Sequence, residues 1–422
     1  MINFIKFDSL SRRRLVGFII MFREMHRFEW PIIDSASDEA VIKQLHTSIS
    51  LYKKEGIYDE FERAFADYHL LDYSVVFNSG TTAIWAMFGA LGLRPGDEVL
   101  VPTYTFFATI SPMIQWGLTP VFCDCSEDGN FDPEEIIRKK TERTKAVIVT
   151  HMWGIPCNMP KISSLCKRFN LFLLEDCSHA HGATIGDRKV GTWGDMAAWS
   201  LQGKKVVAAG QGGILATSNR SMYEHAVFLG HFNKRCFQEL SPESKFALYS
   251  ITGAGMNLRP SPLAIALANQ QFSQFDQWLK QKRLYAQEWI ETFSDVPFLT
   301  MPKFPVEYQP TWYALVMQYD ATKSKFSRSE FVELLQNEYK LGEVDIPMST
   351  CPNHLLPLFA QPHTVRPDFY DANIGNMNDN FPMARKFYDN AIKIFIPARV
   401  SDNDDFQLYI EGFREVAKMV VL

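Results

Sequence analysis

Residues 171–213 read LFLLEDCSHAHGATIGDRKVGTWGDMAAWSLQGKKVVAAGQGG. An apolar run, Leu171 to Leu174, ends in Glu175 and Asp176, and a second, Met196 to Trp199, ends in Ser200. Lys204 and Lys205 follow, then Gly210-Gln211-Gly212-Gly213. A carboxylate placed directly after a buried run needs a positive partner, because an unpaired buried carboxylate is costly. A salt bridge to arginine or lysine would satisfy it. So would a protonated pyridine nitrogen, and a ring held in that way becomes an electron sink. A lysine in an apolar site loses its proton readily and forms an imine with an aldehyde. A serine and a glycine turn suit an anion, although glycines by themselves punctuate many loops. An acid, a serine, a lysine and a glycine turn together suit one bound group, pyridoxal phosphate (PLP), held through a lysine. The residues alone do not choose between Lys204 and Lys205.

The elements that must position these groups alternate between strand and helix. Residues 73–77 read as a strand, Asn78-Ser79-Gly80-Thr81-Thr82 as a turn, and 83–91 as a helix. A strand feeding a helix through small residues points free N–H groups and the positive end of the helix dipole at an anion. An ordinary N-cap by Ser79 or Thr81 accounts for the turn equally well. Strands are expected at 97–101, 120–124, 146–151 and 171–175, with a turn at 102–109 and helices at 133–139 and 162–169. Continuous apolar strands alternating with helices imply an α/β fold with a mostly parallel sheet covered on both faces. Ligands of such sheets sit beyond the carboxyl ends of the strands. Residues 78–82, 103–107, 151–154, 176–179 and 200–205 all fall at such ends. Phe106 is among them and suits stacking on a planar group, although aromatic residues at strand ends more often belong to the core.

Helical spacing at 40–52 and 58–68 precedes this alternation, and a strand at 214–217 and a long helix at 261–292 follow it. Four prolines between 297 and 310 read as a boundary. Beyond it come a strand at 313–319, helices at 328–339 and 383–391, a strand at 392–396 and a closing helix at 402–418. The expected division is an N-terminal arm (1–40), a large domain (41–296) and a smaller C-terminal α/β domain (297–422).

Apolar residues at 46% and charged residues at 22% are an ordinary globular balance. The net charge of −5 argues against nucleic acid as a partner, which needs a basic face. Seven cysteines, an odd number set largely in apolar runs, read as reduced thiols of a cytoplasmic enzyme. Arg12-Arg13-Arg14 before an apolar run ending at Phe22 imitates a signal peptide but lacks its cleavage site, and the run is too short for a membrane span. It reads as part of the arm. Asp176, Cys177, His179 and His181 imitate a metal cluster, but no second group with ligand spacing accompanies them, and no metal is expected. Arg235, Lys245 and Arg259 could meet a phosphate, and each also reads as a surface or structural cation.

From about residue 58 to the closing helix the chain resembles the DegT/StrS-type sugar aminotransferases, PLP enzymes of fold type I with an aspartate-aminotransferase-like large domain. The segments that carry the resemblance are FNSGTTAI, VPTYTFFAT, VTHMWGIP, LLEDCSHAHGA, GTWGDMAAWS, GMNLRP and the S-x4-K-x4-G-x-G-G spacing. The resemblance makes Lys205 the Schiff-base lysine and pairs Asp176 with the pyridine nitrogen. It gives the cofactor phosphate to Gly80, Thr81 and Ser200, with Asn257 reaching in from a second subunit of a homodimer. It stacks Phe106 on the ring and sets His179 against the ring hydroxyl, where glutamine is usual. Gln211 likewise stands where glutamate is usual.

The implied reaction moves an amino group from L-glutamate or L-glutamine to a keto-sugar, expected to be nucleotide-linked, without nucleic acid or membrane as partner. Alternatives are a keto-cyclitol acceptor, a sugar dehydratase and a non-catalytic regulatory homologue. Relatives that act as dehydratases carry histidine in place of the lysine, so Lys205 favours transamination.

Overall fold

The computed structural model describes residues 25–371 and 380–420. The stretch 12–22 lies outside them. Among the described residues ten strands precede the long helix: β1 (Tyr73–Phe77), β2 (Glu98–Pro102), β3 (Tyr104–Phe106), β4 (Thr119–Cys123), β5 (Thr144–Thr150), β6 (Phe172–Asp176), β7 (Thr184–Ile185), β8 (Arg188–Lys189), β9 (Met196–Ser200) and β10 (Gly213–Thr217). Seven of them form the main sheet in the order β1-β10-β9-β6-β5-β2-β4. From β4 to β9 the pairings are parallel, and β10 runs antiparallel to both of its neighbours.

Both faces of this sheet are buried, which is why its strands are continuous apolar runs. Successive residues of a strand point to opposite faces. Val75 and Leu215 accordingly pack with Ala83, Met87 and Val227 of the helices Gly80–Ala90 and Arg220–Gly230. Val76, Ile214 and Ala216 pack with Phe61, Phe65 and Phe275 of the helices Ile57–His69 and Pro262–Phe293. The helix Gly80–Ala90 is apolar nearly all round, as suits a helix enclosed by other elements.

Six further strands follow among the described residues: β11 (Leu299–Thr300), β12 (Tyr308–Gln309), β13 (Leu315–Tyr319), β14 (Val344–Asp345), β15 (Thr350–Pro352) and β16 (Ala391–Ile394). Four of these make an antiparallel sheet in the order β11-β13-β16-β14. Phe331 and Leu335 of the helix Arg328–Asn337 and Phe406, Ile410 and Phe413 of the helix Asn403–Val420 form its core. The 32-residue helix Pro262–Phe293 serves both cores, with Ile265 and Phe275 in the first and Trp289 and Phe293 in the second.

Two local readings change. The turn expected at 102–109 contains β3 and a 3-10 turn, Phe107–Thr109, because β15 from the distant small domain pairs antiparallel with β3. The helix expected at 40–52 is Ser35–Thr47, set by a cap: Ser37 N donates to Asp34 Oδ1 at 2.8 Å. Among the described residues no helix is long and apolar enough to cross a membrane.

Candidate active site

The strand period divides the acid pair. Glu175 turns away from the cavity and accepts the N–H groups of Gly191, Trp193 and Gly194 at 2.7–2.8 Å. Asp176, the next residue, faces the cavity and is 4% exposed. Its Oδ2 accepts from Thr109 Oγ1 at 2.6 Å and its Oδ1 from Ser178 N at 3.0 Å. Thr109 in turn belongs to a hydroxyl cluster with Thr105 and Thr150. The carboxylate is therefore held by Thr109 and Ser178, with lone pairs left for a further donor.

Ser200 ends β9 opposite the start of the helix Gly80–Ala90. Ser79 caps that helix through Thr82 N at 3.1 Å and forms a capping box with Thr82. A Cβ on Gly80 would stand 2.8 Å from Ser200 Cβ, so glycine is what lets helix and strand approach so closely. The first N–H groups of a helix have no partner within it, and here they open beside Ser200 and Thr81.

Both lysines line the cavity and they differ in burial. Lys204 is exposed and Lys205 half-buried. Lys205 N donates to Gln202 O at 2.7 Å, Gly203 N to Gly210 O at 3.0 Å, and Trp30 Nε1 to Lys205 O at 3.2 Å. Desolvation lowers the Lys205 ammonium from 10.5 to about 8, against a smaller lift from Asp176. Its Nζ sits 4.3 Å from the centroid of the Tyr313 ring.

His179 is 6% exposed and lies parallel to Tyr313, with centroids 4.0 Å apart at 5°. Burial, and then the charge of Lys205, hold its imidazole well below the usual range, so the ring is neutral. Its Nδ1 is buried without a hydrogen-bond partner among the described residues.

Gly80, Thr81, Phe106, Asp176, His179, Ser200 and Lys205 all line one cavity of about 780 Å³. Asn257 does not. It is exposed, in the segment that returns through Leu258 O to Asn78 N (2.7 Å). Arg235 is fully buried between Glu62 and Glu239, which makes it a structural cation. Thr109, Trp30 and Tyr313 were not singled out from the sequence, because their contacts with the site span 67, 175 and more than a hundred residues.

Among the described residues one trio lies close enough to resemble a metal site, His151, Glu175 and Cys177. Its imidazole and carboxylate are already engaged. His151 Nδ1 accepts from Cys157 N at 3.0 Å, its Nε2 meets Glu175 at 3.1 Å, and Glu175 accepts the three backbone donors above.

Residues 32–403 match the model of the DegT/DnrJ/EryC1/StrS aminotransferase family. The chain belongs to this family. It is 30% identical over 362 residues to the spore coat polysaccharide biosynthesis protein SpsC of Bacillus subtilis, covering 85% of this chain and 89% of that protein. It is 26% identical to the GDP-perosamine synthase of Escherichia coli O157:H7, over 82% of this chain and 91% of that one. Among solved structures, an aminotransferase from Psychrobacter cryohalolentis superposes with a TM-score of 0.81 at 24% identity, covering 92% of this chain and 98% of that chain.

The DegT-family chain is thus a PLP-dependent aminotransferase of fold type I. The cavity fits that cofactor. The helix start beside Gly80 suits a phosphate, the carboxylate of Asp176 a ring N–H, the amine of Lys205 an aldehyde, and the orphaned Nδ1 of His179 a polar ring substituent.

Proposed function

We propose that the protein transfers an amino group from L-glutamate or L-glutamine to a keto-sugar carried on a nucleotide, as a cytoplasmic homodimer. The observation that carries this reading is the half-buried amine of Lys205, lowered to about 8 and facing Asp176 in one cavity. Such an amine is protonated or free at near-equal cost around neutral to mildly basic pH, as a group that both gives and takes a proton must be.

When bound, PLP supplies an electron sink for the carbon next to the transferred amine. The chain supplies the rest. Lys205 anchors the cofactor and, once released, carries the proton away from the donor α-carbon. Asp176, fixed by Thr109 and Ser178, keeps the pyridine nitrogen protonated. The helix start at Gly80 and Thr81, with Ser200, holds the phosphate. Phe106, 38% exposed at the cavity wall, covers one ring face. His179, neutral, hydrogen-bonds the ring hydroxyl. Asn257 serves the cavity of a second copy, and the exposed Leu248, Tyr249, Ile251 and Met256 that precede it supply apolar surface for that copy.

The keto-sugar acceptor is supported by the relatives, among them the GDP-perosamine synthase. The L-glutamine:2-deoxy-scyllo-inosose aminotransferase of Streptomyces kanamyceticus, 30% identical over 61% of this chain, makes a keto-cyclitol the second acceptor to assay. The test is a panel of nucleotide-linked keto-sugars and keto-cyclitols, with glutamate and glutamine as donors, read by mass spectrometry. An aminated sugar supports the proposal. A deoxygenated product with no amine gained, or no turnover on any keto-sugar by PLP-loaded protein, contradicts it.

A further inference from the structure

Tyr313 lies just before β13, in the small domain, yet its ring touches the two large-domain groups nearest the chemistry. Lys205 Nζ is 4.3 Å from its centroid. The His179 ring lies 4.0 Å away at 5°, Trp153 6.3 Å away at 19°, and Phe395 meets it edge-on at 5.5 Å.

The backbone around this ring is under strain. Trp153 and Trp312 both have left-handed φ, 58° and 56°. That region is a genuine outlier for bulky residues, and such outliers cluster at functional sites. Gly154, at φ 92°, is required between them, because a Cβ there would lie 2.8 Å from His179 O and 3.0 Å from Tyr313 N. Thr311 N donates to Gly154 O at 2.9 Å, and Thr311 Oγ1 to His181 O at 2.7 Å. Two strained tryptophans, one obligatory glycine and two cross-domain hydrogen bonds thus fix where the Tyr313 ring stands. A packing role alone would need none of this, since an aromatic ring fills space in many orientations.

We propose that Tyr313 is a positioning residue, whose ring face is the resting platform of the Lys205 ammonium whenever that amine is free of the cofactor. The proposal rests on Lys205 being the cofactor lysine, as argued above. A cation near the face of an aromatic ring is attracted by the ring quadrupole, most strongly where water is excluded. The platform keeps the free amine beside the reacting atoms instead of letting it swing toward solvent.

The ring also opposes deprotonation. The other titratable groups facing Lys205 are Asp176, His179 and His181. Both histidines are neutral throughout the working range, His181 at about 3 and His179 well below its usual value. Tyr313 itself is pushed up to about 12 and stays a neutral phenol. Asp176 and the ring are left to stabilise the ammonium. Removing the ring lowers the pH at which Lys205 gives up its proton.

The test uses PLP-loaded protein and a single turnover with amino donor, followed by the cofactor's absorbance change across pH. Tyr313→Phe keeps the face and should retain the acidic limb of wild type. Tyr313→Leu should move that limb down by roughly 0.4 to 1.5 pH units and lower the plateau rate about tenfold or more, with little change in donor KM. Pentafluorophenylalanine at 313 guards against a leucine variant that fails to fold, since it keeps ring shape while inverting the quadrupole. It should move the limb in the leucine direction. If the fluorinated ring and phenylalanine give the same limb in protein whose borohydride-fixed cofactor maps to Lys205, the platform is wrong. If the fixed cofactor maps to another lysine, the assignment of Lys205 fails first.

Discussion

The cavity has two walls of different make. The large-domain wall is the carboxyl edge of a parallel sheet. Asp176 and Ser200 end strands paired on both sides, the cap at Ser79 lies two residues beyond β1, and hydrogen bonds at 2.6–3.1 Å hold Asp176 and Ser79. The small-domain wall comes from β14, β16 and the segment before β15. It presents Met348, 77% exposed, and an ion pair between Lys393 and Asp345 at 3.2 Å, both partly open to solvent. The first wall is held by strand pairing and short hydrogen bonds. The other is short strands and long side chains, whose geometry is cheap to change. We accordingly propose that the first wall, together with Tyr313, serves the chemistry and that the second chooses the acceptor.

The comparison breaks most visibly through Asp176. Asp176→Asn keeps the shape and the hydrogen bond from Thr109 but removes the charge. Turnover should fall about 10²- to 10³-fold, the usual loss when a charge-stabilising group is removed, while thermal melting of the apo-protein changes little. A variant with near-normal kcat would detach the rigid wall from the chemistry.

Gly80→Ala tests the same wall by shape. The added methyl meets Ser200 at 2.8 Å against rigid neighbours, and overpacking of about 1–3 kcal/mol should weaken cofactor binding roughly tenfold or more in an absorbance titration. Unchanged affinity would mean that the gap is not where the phosphate sits.

A third test uses pH. Burial lowers His69 and His181 from 6.5 to about 3, and it pushes His179 and His231 down as well. Below pH 6.5 the unfolded chain takes up protons that the folded chain refuses. Stability is therefore fully present above about 6.5 and declines as pH falls, by up to about 1.4 kcal/mol per unit for each histidine. Melting followed from pH 7.5 to 5 should show Tm falling steadily, and a flat profile would contradict the neutral, buried state of these rings.

The smallest effect belongs to the other wall. Lys393→Ala breaks a partly exposed ion pair, of little worth to stability. Acceptor KM should rise about two- to fivefold on that scale, with the donor half-reaction unchanged in single-turnover measurements. An equal loss in both halves would erase the division between the walls.

The same division governs how much could be read from the sequence. The strand ends of the rigid wall are local facts. The apolar run Leu171 to Leu174 makes a buried acid at its end legible, while the opposite facing of Glu175 and Asp176 emerges only in the structure. The helix expected from residue 83 begins at Gly80, because Ser79 and not Thr81 caps it. Lys205 was separable from Lys204 only through the spacing shared with relatives, because exposure depends on Trp30 and on the turn closed by Gly210. Tyr313 was illegible. Its place depends on β5, β6 and the small domain meeting at Gly154, and no local pattern announces a contact across that distance. β3 was read as a turn for the same reason, since its partner, β15, begins at Thr350.

The central claim is that Lys205, and not its neighbour, holds the cofactor. PLP-loaded protein reduced with borohydride, digested and sequenced by mass spectrometry should carry the pyridoxyl group on Lys205 alone, and Lys205→Ala should lose both the label and the visible absorbance. A label on Lys204 or Lys393, or full absorbance in the variant, would contradict the account.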